Sequence, residues 1–339
     1  MKTCNSKENL LQQQKFFSQE CMPIKQDEFF NFYILKETGQ HICEFNLKLG
    51  LGGEHVEIAQ ITDVHLNYCL SDDLEDEEAR LTKRCRIWLA DGISVTSLNK
   101  AMDIASFCDQ TVITGDILDY ISVGSIMLTK KHIFERNPEI ICTLGGHDIT
   151  KEMQTEQPDK LPLEERLKIV EDFWIHDIYY YSKTIKNKIV VVGLNNGMGR
   201  YFTHQVEDLK CEIQKARDEG KYILIFQHEP ISTGNPCDTS VEPSLVVDGA
   251  NAPPRDFYNG CIGAPTTTDI PTKEMYSLIT ENADVIKGVF CGHYHSAFYT
   301  ELKATYGGEE KTQTIIPQVI AVANPYFDHA GSVTRIIIE

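Results

Sequence analysis

The chain has 339 residues, 42% hydrophobic and 24% charged, the balance of an ordinary globular protein long enough for one large domain or two of common size. Asp and Glu number 50 against 32 Lys and Arg, a net charge of −18 that excludes a nucleic-acid polymer as main partner, because binding to a phosphate backbone needs clustered cations. No stretch approaches the ~20 apolar residues of a membrane span, the first residues lack a signal-peptide core, and the 11 cysteines show no CxxC spacing, so reduced thiols in the cytoplasm and no membrane partner are expected.

Residues 1 to about 25 are polar and read as helix or frayed coil. The stretch 29–50, FFNFYILKETGQHICEFNLKLG, predicts a β-hairpin around Glu37-Thr38-Gly39, and LGLGG at 49–53 a joint. Residues 1–50 are therefore expected to form an N-terminal extension and 51–339 the main domain. From Val56 onward, β-rich runs alternate with amphipathic segments. The runs are VEIAQIT (56–62), QTVIT (110–114), EIICTL (139–144), KIVVVGL (188–194), YILIFQ (222–227) and VIKGVFC (285–291). Helices are predicted over 91–107, 163–175 and 204–220. In the last, Val206, Leu209, Ile213 and Ala216 recur at helical spacing before the stop at Gly220. Such alternation predicts an α/β fold with helices packed outside the sheet.

The residues after these runs carry the chemistry. Asp63 and His65 follow the first, Gly115, Asp116 and Asp119 the second, and Gly145, Gly146, His147 and Asp148 the third. His228 follows 222–227, and Gly292, His293 and His295 follow 285–291. The exception is 188–194, followed by Asn195-Asn196-Gly197, a loop without an ionisable group. Sites in open α/β sheets form beyond the carboxyl ends of the strands, so these residues are expected to converge. In an extended segment positions i and i+2 point to one side, so Asp63/His65 and His293/His295 can each face a common centre. Imidazoles with carboxylates suit Mn, Fe or Zn. One such pair is commonplace in a loop; five signals in one strand context are not. His41, His55, His132, His176, His204 and His329 lack that context and read as structural or solvated.

In order, DVH, GDILD, GGHD, the His of QHEP, and GHYH resemble the signature of the calcineurin-like metallophosphoesterases: DxH, GDxxD, GNH(D/E), H, GHxH. The resemblance spans Asp63 to His295 and implies a four-layer αββα sandwich, two central β-sheets flanked by helices, with two divalent metal ions at the strand ends. It implies Asp63, His65 and His295 on one ion, Asp116 bridging, and His228 and His293 on the second. His147 would contact the phosphate or leaving group, with Asp148 orienting it. The implied activity is hydrolysis of a phosphomonoester or phosphodiester by a metal-activated hydroxide, without a protein nucleophile.

The pattern departs from that family at one position. Gly146 stands where the family has an asparagine whose side-chain oxygen binds the second metal. Water filling that position, an engineered substitution, and a natural single-metal or inactive site are the readings this leaves, with a partly occupied second site or a binding and scaffold protein of weakened or lost turnover as the consequence. The protein-phosphatase branch carries GDxVDRG and GNHE, which GDILDY and GGHD do not match, so a small phosphate ester is the expected substrate. Asn67, Arg255 and Tyr258 are candidate substrate contacts, with Tyr68, Arg80, Arg84 and Arg86 as weaker ones; 231–272 forms a long Pro- and Gly-rich connection of the kind that often carries function.

Overall fold

The computed structural model describes residues 21–26, 28–68, 70, 93–151, 161–231, 269–307, 310–325 and 331–339. The first strands are β1 (Cys21–Gln26), β2 (Phe30–Leu35), β3 (His41–Leu47) and β4 (Val56–Ile61). Then come α1 (Ile93–Ala105), β5 (Gln110–Thr114), α2 (Val123–Thr129), β6 (Ile141–Thr143) and α3 (Leu163–Glu171). The second half holds β7 (Tyr180–Ile185), β8 (Ile189–Leu194), α4 (Thr203–Glu219), β9 (Tyr222–Phe226) and α5 (Ile270–Thr280), then β10 (Ile286–Cys291), β11 (Phe298–Tyr306), β12 (Thr312–Ile320) and β13 (Ser332–Ile338). They form a seven-stranded sheet, β1-β2-β3-β13-β4-β5-β6, and a six-stranded sheet, β11-β12-β10-β9-β8-β7.

Period-two alternation builds the layers, since successive strand residues face opposite sides. Val56 and Ile58 of β4, Val112 of β5, Ile189 and Val191 of β8, and Leu224 and Phe226 of β9 meet between the sheets. Ala59 and Ile61, on the other face of β4, pack under Leu98, Ala101 and Met102 of α1 and Leu167 and Val170 of α3. Val190, Val192, Ile223 and Ile225 pack under Leu209 and Ile213 of α4 and Met275 and Ile279 of α5. The order is helix, sheet, sheet, helix: the expected four-layer sandwich. Each fully buried Ile or Leu contributes ~2 kcal/mol, so both faces of every central strand have to be apolar for the layers to hold. As predicted, α4 ends at Gly220, whose φ of 64° is the left-handed C-terminal stop, with Lys221 N donating to Ala216 O at 2.8 Å.

The N-terminal hairpin is present but is no appendage. β3 runs parallel to β13 from His41↔Ser332 to Leu47↔Ile338, and β13 runs antiparallel to β4. Phe30, Phe32 and Phe45 lie in the core between the sheets. The boundary expected at residue 50 therefore does not divide the packing. β1 is a strand where helix or coil was expected, because it completes the sheet edge beside β2. Buried Arg335 of β13 bridges the neighbours, pairing with Glu44 of β3 and, at 2.6 Å, with Glu57 of β4. β4, β5 and β6 are mutually parallel, as are β8, β9, β10 and β12, so each sheet presents a set of carboxyl ends along one edge. No helix among the described residues is long and apolar enough to cross a membrane.

Candidate metal centre

The backbone beyond those strand ends is not extended. Asp63, His65, Asp116, His293 and His295 all have positive φ, between 50° and 75°. Among the described residues the only other non-glycine cases are Lys186 and Asn187, in the turn joining β7 and β8. A left-handed backbone costs ~1–2 kcal/mol per residue and persists only where packing imposes it. The i, i+2 pairs thus reach their common centre by left-handed turns and not by strand alternation. Hydrogen bonds across the strand ends hold the turns: Asp63 N donates to Gly115 O at 3.1 Å, His65 N to Asp116 O at 2.9 Å, and His293 N to Asp63 Oδ2 at 3.0 Å. Gly292 is needed for space, since a Cβ there would lie 1.9 Å from Thr62 Oγ1.

The side chains converge as the strand-end pattern requires. His295 Nε2 lies 3.1 Å from Asp63 Oδ1 and 3.4 Å from His65 Nε2, and His65 Nε2 lies 4.0 Å from Asp63 Oδ1. Asp116 Oδ2 lies 3.3 Å from His228 Nε2 and 3.9 Å from both His65 Nε2 and His147 Nε2. His293 joins through His228, with Nδ1 3.3 Å from His228 Nε2. Three metal-capable groups result: Asp63/His65/His295, His65/Asp116/His147 and Asp63/Asp116/His228, each with ligand atoms within 4.8 Å of one another. Ligand atoms ~2.1 Å from a shared ion stand ~3–4 Å apart, which is the spacing found.

A cation also fits the electrostatics. Asp63 is 0% and Asp116 3% exposed, and Asp63 Oδ1 faces imidazole nitrogen only, His295 Nε2 at 3.1 Å and His65 Nε2 at 4.0 Å. Two buried carboxylates are costly without compensating positive charge. Burial alone would raise both carboxyls; His295, above all, holds Asp63 at about 2, and His228 and His147 hold Asp116 well below the usual range. Burial would lower His228, but Asp116 and Asp63 outweigh it and raise the imidazole to about 10. A proton on His228 thus supplies positive charge beside the two carboxylates. Its Nδ1–H donates to Thr114 O at 2.9 Å, which leaves Nε2 facing Asp116. Burial, then the His228 charge, pushes His293 down to about 4.

His147 stands at the open side, its side chain 22% exposed, and donates from Nδ1 to Asp119 O at 2.9 Å. The group that orients it is Asp119 and not Asp148. Asp119 Oδ1 lies 3.4 Å from His147 Nδ1 and 3.3 Å from His65 Nδ1, and Oδ2 accepts from Asn67 Nδ2 at 2.6 Å. Asp148 is fully buried and accepts from two main-chain donors, Leu118 N at 2.7 Å and Gly145 N at 2.8 Å, tying the loops after β5 and β6 together. Burial and the repulsion of Asp116 raise its carboxyl to about 7.

The two glycines of GGHD differ. A Cβ on Gly145 would meet Asp116 Oδ1 at 2.2 Å; one on Gly146 would meet only Gly197 O, at 3.6 Å, from an ordinary helical φ of −62°. A side chain at 146 has room. The loop after β8, set aside in the sequence for lack of an ionisable group, serves the centre too: Asn196 Oδ1 accepts from His228 N at 3.1 Å and Glu229 N at 3.0 Å. Asp119 was legible as the second acid of GDILD; nothing local marked Asn196. Asn67 reaches the centre through Asp119, whereas Arg255, Tyr258, Arg80, Arg84 and Arg86 lie outside the described residues.

The sequence matches no protein-family profile and no curated protein. Among solved structures it is similar to a dimetal phosphatase from Danio rerio, at 12% identity and a TM-score of 0.43, over 79% of this chain and 87% of that one. It is also similar to a purple acid phosphatase from yellow lupin (Lupinus luteus) seeds, at 10% identity and a TM-score of 0.43, over 91% of this chain but only 48% of that one. At such identities and scores the chemistry of this chain has to be read from its own residues.

Proposed function

We propose that the chain is a metal-dependent phosphoesterase of the calcineurin-like type, acting on a small phosphomonoester or phosphodiester. The observation that carries this is the meeting of Asp63, His65, Asp116, His147, His228, His293 and His295 from five separate strand ends, on a backbone strained at five of those seven positions. Asp63, His65 and His295 are the first ligand set, Asp116 lies between the sets, and His228 and His293 serve the second. Mn, Fe or Zn ions there would supply activated water and neutralise phosphoryl oxygens. His147 does the chain's own work on substrate: with Nδ1 committed to Asp119, its Nε2, when protonated, stabilises a phosphoryl oxygen or donates to the leaving oxygen. Asp119 holds that imidazole in register. The net charge of −18 supports a small substrate over a nucleic acid, and cysteine usage supports the cytoplasm.

The test is a panel of phosphate monoesters and diesters with added Mn²⁺. Turnover of at least one class, lost with chelator and in His147→Ala, is expected. Gly146 favours a second reading, a phosphoesterase-fold binding protein, because it offers the second ligand set no side-chain oxygen. Tight metal binding without turnover of any ester would favour that reading.

A further inference from the structure

β8 is the strand end without an ionisable group, yet its loop reaches both halves of the centre. On one side Gly197 packs on the loop after β6: a Cβ there would come within 2.5 Å of Gly145 C, and Gly197 O lies 3.6 Å from where a Cβ on Gly146 would stand. On the other side Asn196, fully buried, holds the loop after β9. Its partners set the orientation of its amide: Oδ1 accepts from His228 N at 3.1 Å and Glu229 N at 3.0 Å, and Nδ2 donates to Glu229 O at 2.7 Å. The loop is itself anchored, with Gln205 Nε2 of α4 donating to Asn195 O at 2.7 Å and Gly197 N donating to Asn195 Oδ1 at 3.0 Å. Two more buried amides grip 228–231. Gln227 Nε2 donates to Glu229 O at 2.7 Å, and Gln318 brackets Ile231, accepting from its N at 2.7 Å and donating to its O at 2.9 Å. Of the three amides, Asn196 is the one that bonds His228.

We propose that Asn196 is a positioning residue for the second ligand set, fixing where His228 presents its Nε2. The inference rests on the phosphoesterase reading above. The His228 ring is pinned at Nδ1 to Thr114 O, 2.9 Å away, and lies over Gly115, where a Cβ would come within 2.7 Å of ring atom Cγ. With the ring held at Nδ1 and the main chain held at N, Nε2 has one placement, 3.3 Å from Asp116 Oδ2. Without Asn196, two buried N–H groups lose their acceptor, so the main chain shifts to satisfy them and carries Nε2 with it. A neutral amide does this work without adding a carboxylate to a centre that already buries Asp63 and Asp116. The second set depends on such support because Gly146 gives it no side-chain oxygen, and the residues left to it, Asp116, His228 and His293, have to be placed more closely.

Calorimetric titration of the full chain with Mn²⁺ tests this, the two binding events being assigned by which one His295→Ala weakens and which one His293→Ala weakens. Asn196→Ala should weaken the His293 event about tenfold and leave the His295 event unchanged. The unchanged event reports that the variant folds; Asn196→Ser, which opens a smaller cavity, makes the same measurement if the alanine variant does not. Gln318→Leu removes two hydrogen bonds from the same segment at Ile231. It should lower the melting temperature and move neither event, which separates positioning of His228 from general support of the loop. In the chelated protein, proton NMR should show the His228 Nδ1–H exchanging about tenfold faster in Asn196→Ala than in the parent. Equal weakening of both events by Asn196→Ala, weakening of neither, unchanged exchange of that proton, or the same selective loss in Gln318→Leu overturns the assignment while leaving the phosphoesterase reading standing. If the parent binds no Mn²⁺ and turns over no ester, that reading falls and the positioning role falls with it.

Discussion

At the scale of single residues, Asp116 Oδ2 lies within 4 Å of imidazole nitrogens of His65, His147 and His228, while Oδ1 accepts from His147 N at 2.9 Å. Asn at 116 would keep the main-chain bond through its carbonyl oxygen but lose the charge that lies between the two proposed ligand sets. Asp116→Asn should therefore weaken binding of both ions, by at least ~100-fold, whereas His293→Ala should weaken one. Elemental analysis of the purified variants reads the difference, and equal losses would contradict a shared carboxylate. Gly146 is the complementary case. With helical φ and no atom closer than 3.6 Å to a new Cβ, Asn at 146 costs no strain. Gly146→Asn should raise affinity for the second ion about tenfold and raise turnover with it. Calorimetry that finds no gain would mean that an oxygen at 146 does not reach the ion.

At the scale of elements, the N-terminal hairpin supports the centre from a distance. β3 is a main-chain partner of β13, and β13 of β4, whose end carries Asp63. Phe30, Phe32 and Phe45 are each 5% exposed or less, and each contributes ~2–3 kcal/mol on burial. Their sum is comparable with the 5–15 kcal/mol total stability of a typical protein. Removing residues 1–20 should leave cooperative unfolding and metal binding intact. Removing 1–48 should abolish the cooperative transition, because it strips the core between the sheets and exposes the edge of β13. Circular dichroism on heating separates the outcomes, and a folded, metal-binding product of the longer deletion would show that the hairpin is dispensable.

For the whole molecule, the centre couples stability to metal and pH. His228 is raised from 6.5 to about 10 by its carboxylate neighbours against burial, so it stabilises the ion-free fold below pH 6.5 and that contribution is lost as pH rises through 10. Asp63 is lowered from 3.8 to about 2, so its contribution is present above pH 3.8 and is lost as pH falls through 2. The chelated protein should therefore lose melting temperature steadily from pH 7 to 10. The Mn²⁺-loaded protein should lose much less, since an ion held at His228, as proposed, would take the place of its proton and supply the charge instead. Melting curves across that range with chelator and with Mn²⁺ check this, and parallel pH profiles would show that His228 does not carry that charge in the chelated protein.

What the sequence determined by itself is local. Short continuous β-rich runs mark strands buried on both faces and helical spacing marks an amphipathic helix, so β4, β5, β8, β9 and β10 and the helix before Gly220 were legible, and Asp or His directly after a strand marked the centre. Tertiary structure decided what depends on distant partners. That the hairpin belongs to the main sheet follows from β3 meeting β13, with Arg335 and Glu44 in contact across 291 residues of chain. That Asp119 and not Asp148 holds His147 follows from how the loops after β5 and β6 stack, for a carboxylate next in sequence to an imidazole need not face it. The left-handed turns at Asp63, His65, Asp116, His293 and His295 run against the local preference of non-glycine residues. Only the face-to-face packing of two sheets, which brings the carboxyl ends of their strands and the buried charges there side by side, can hold a chain there.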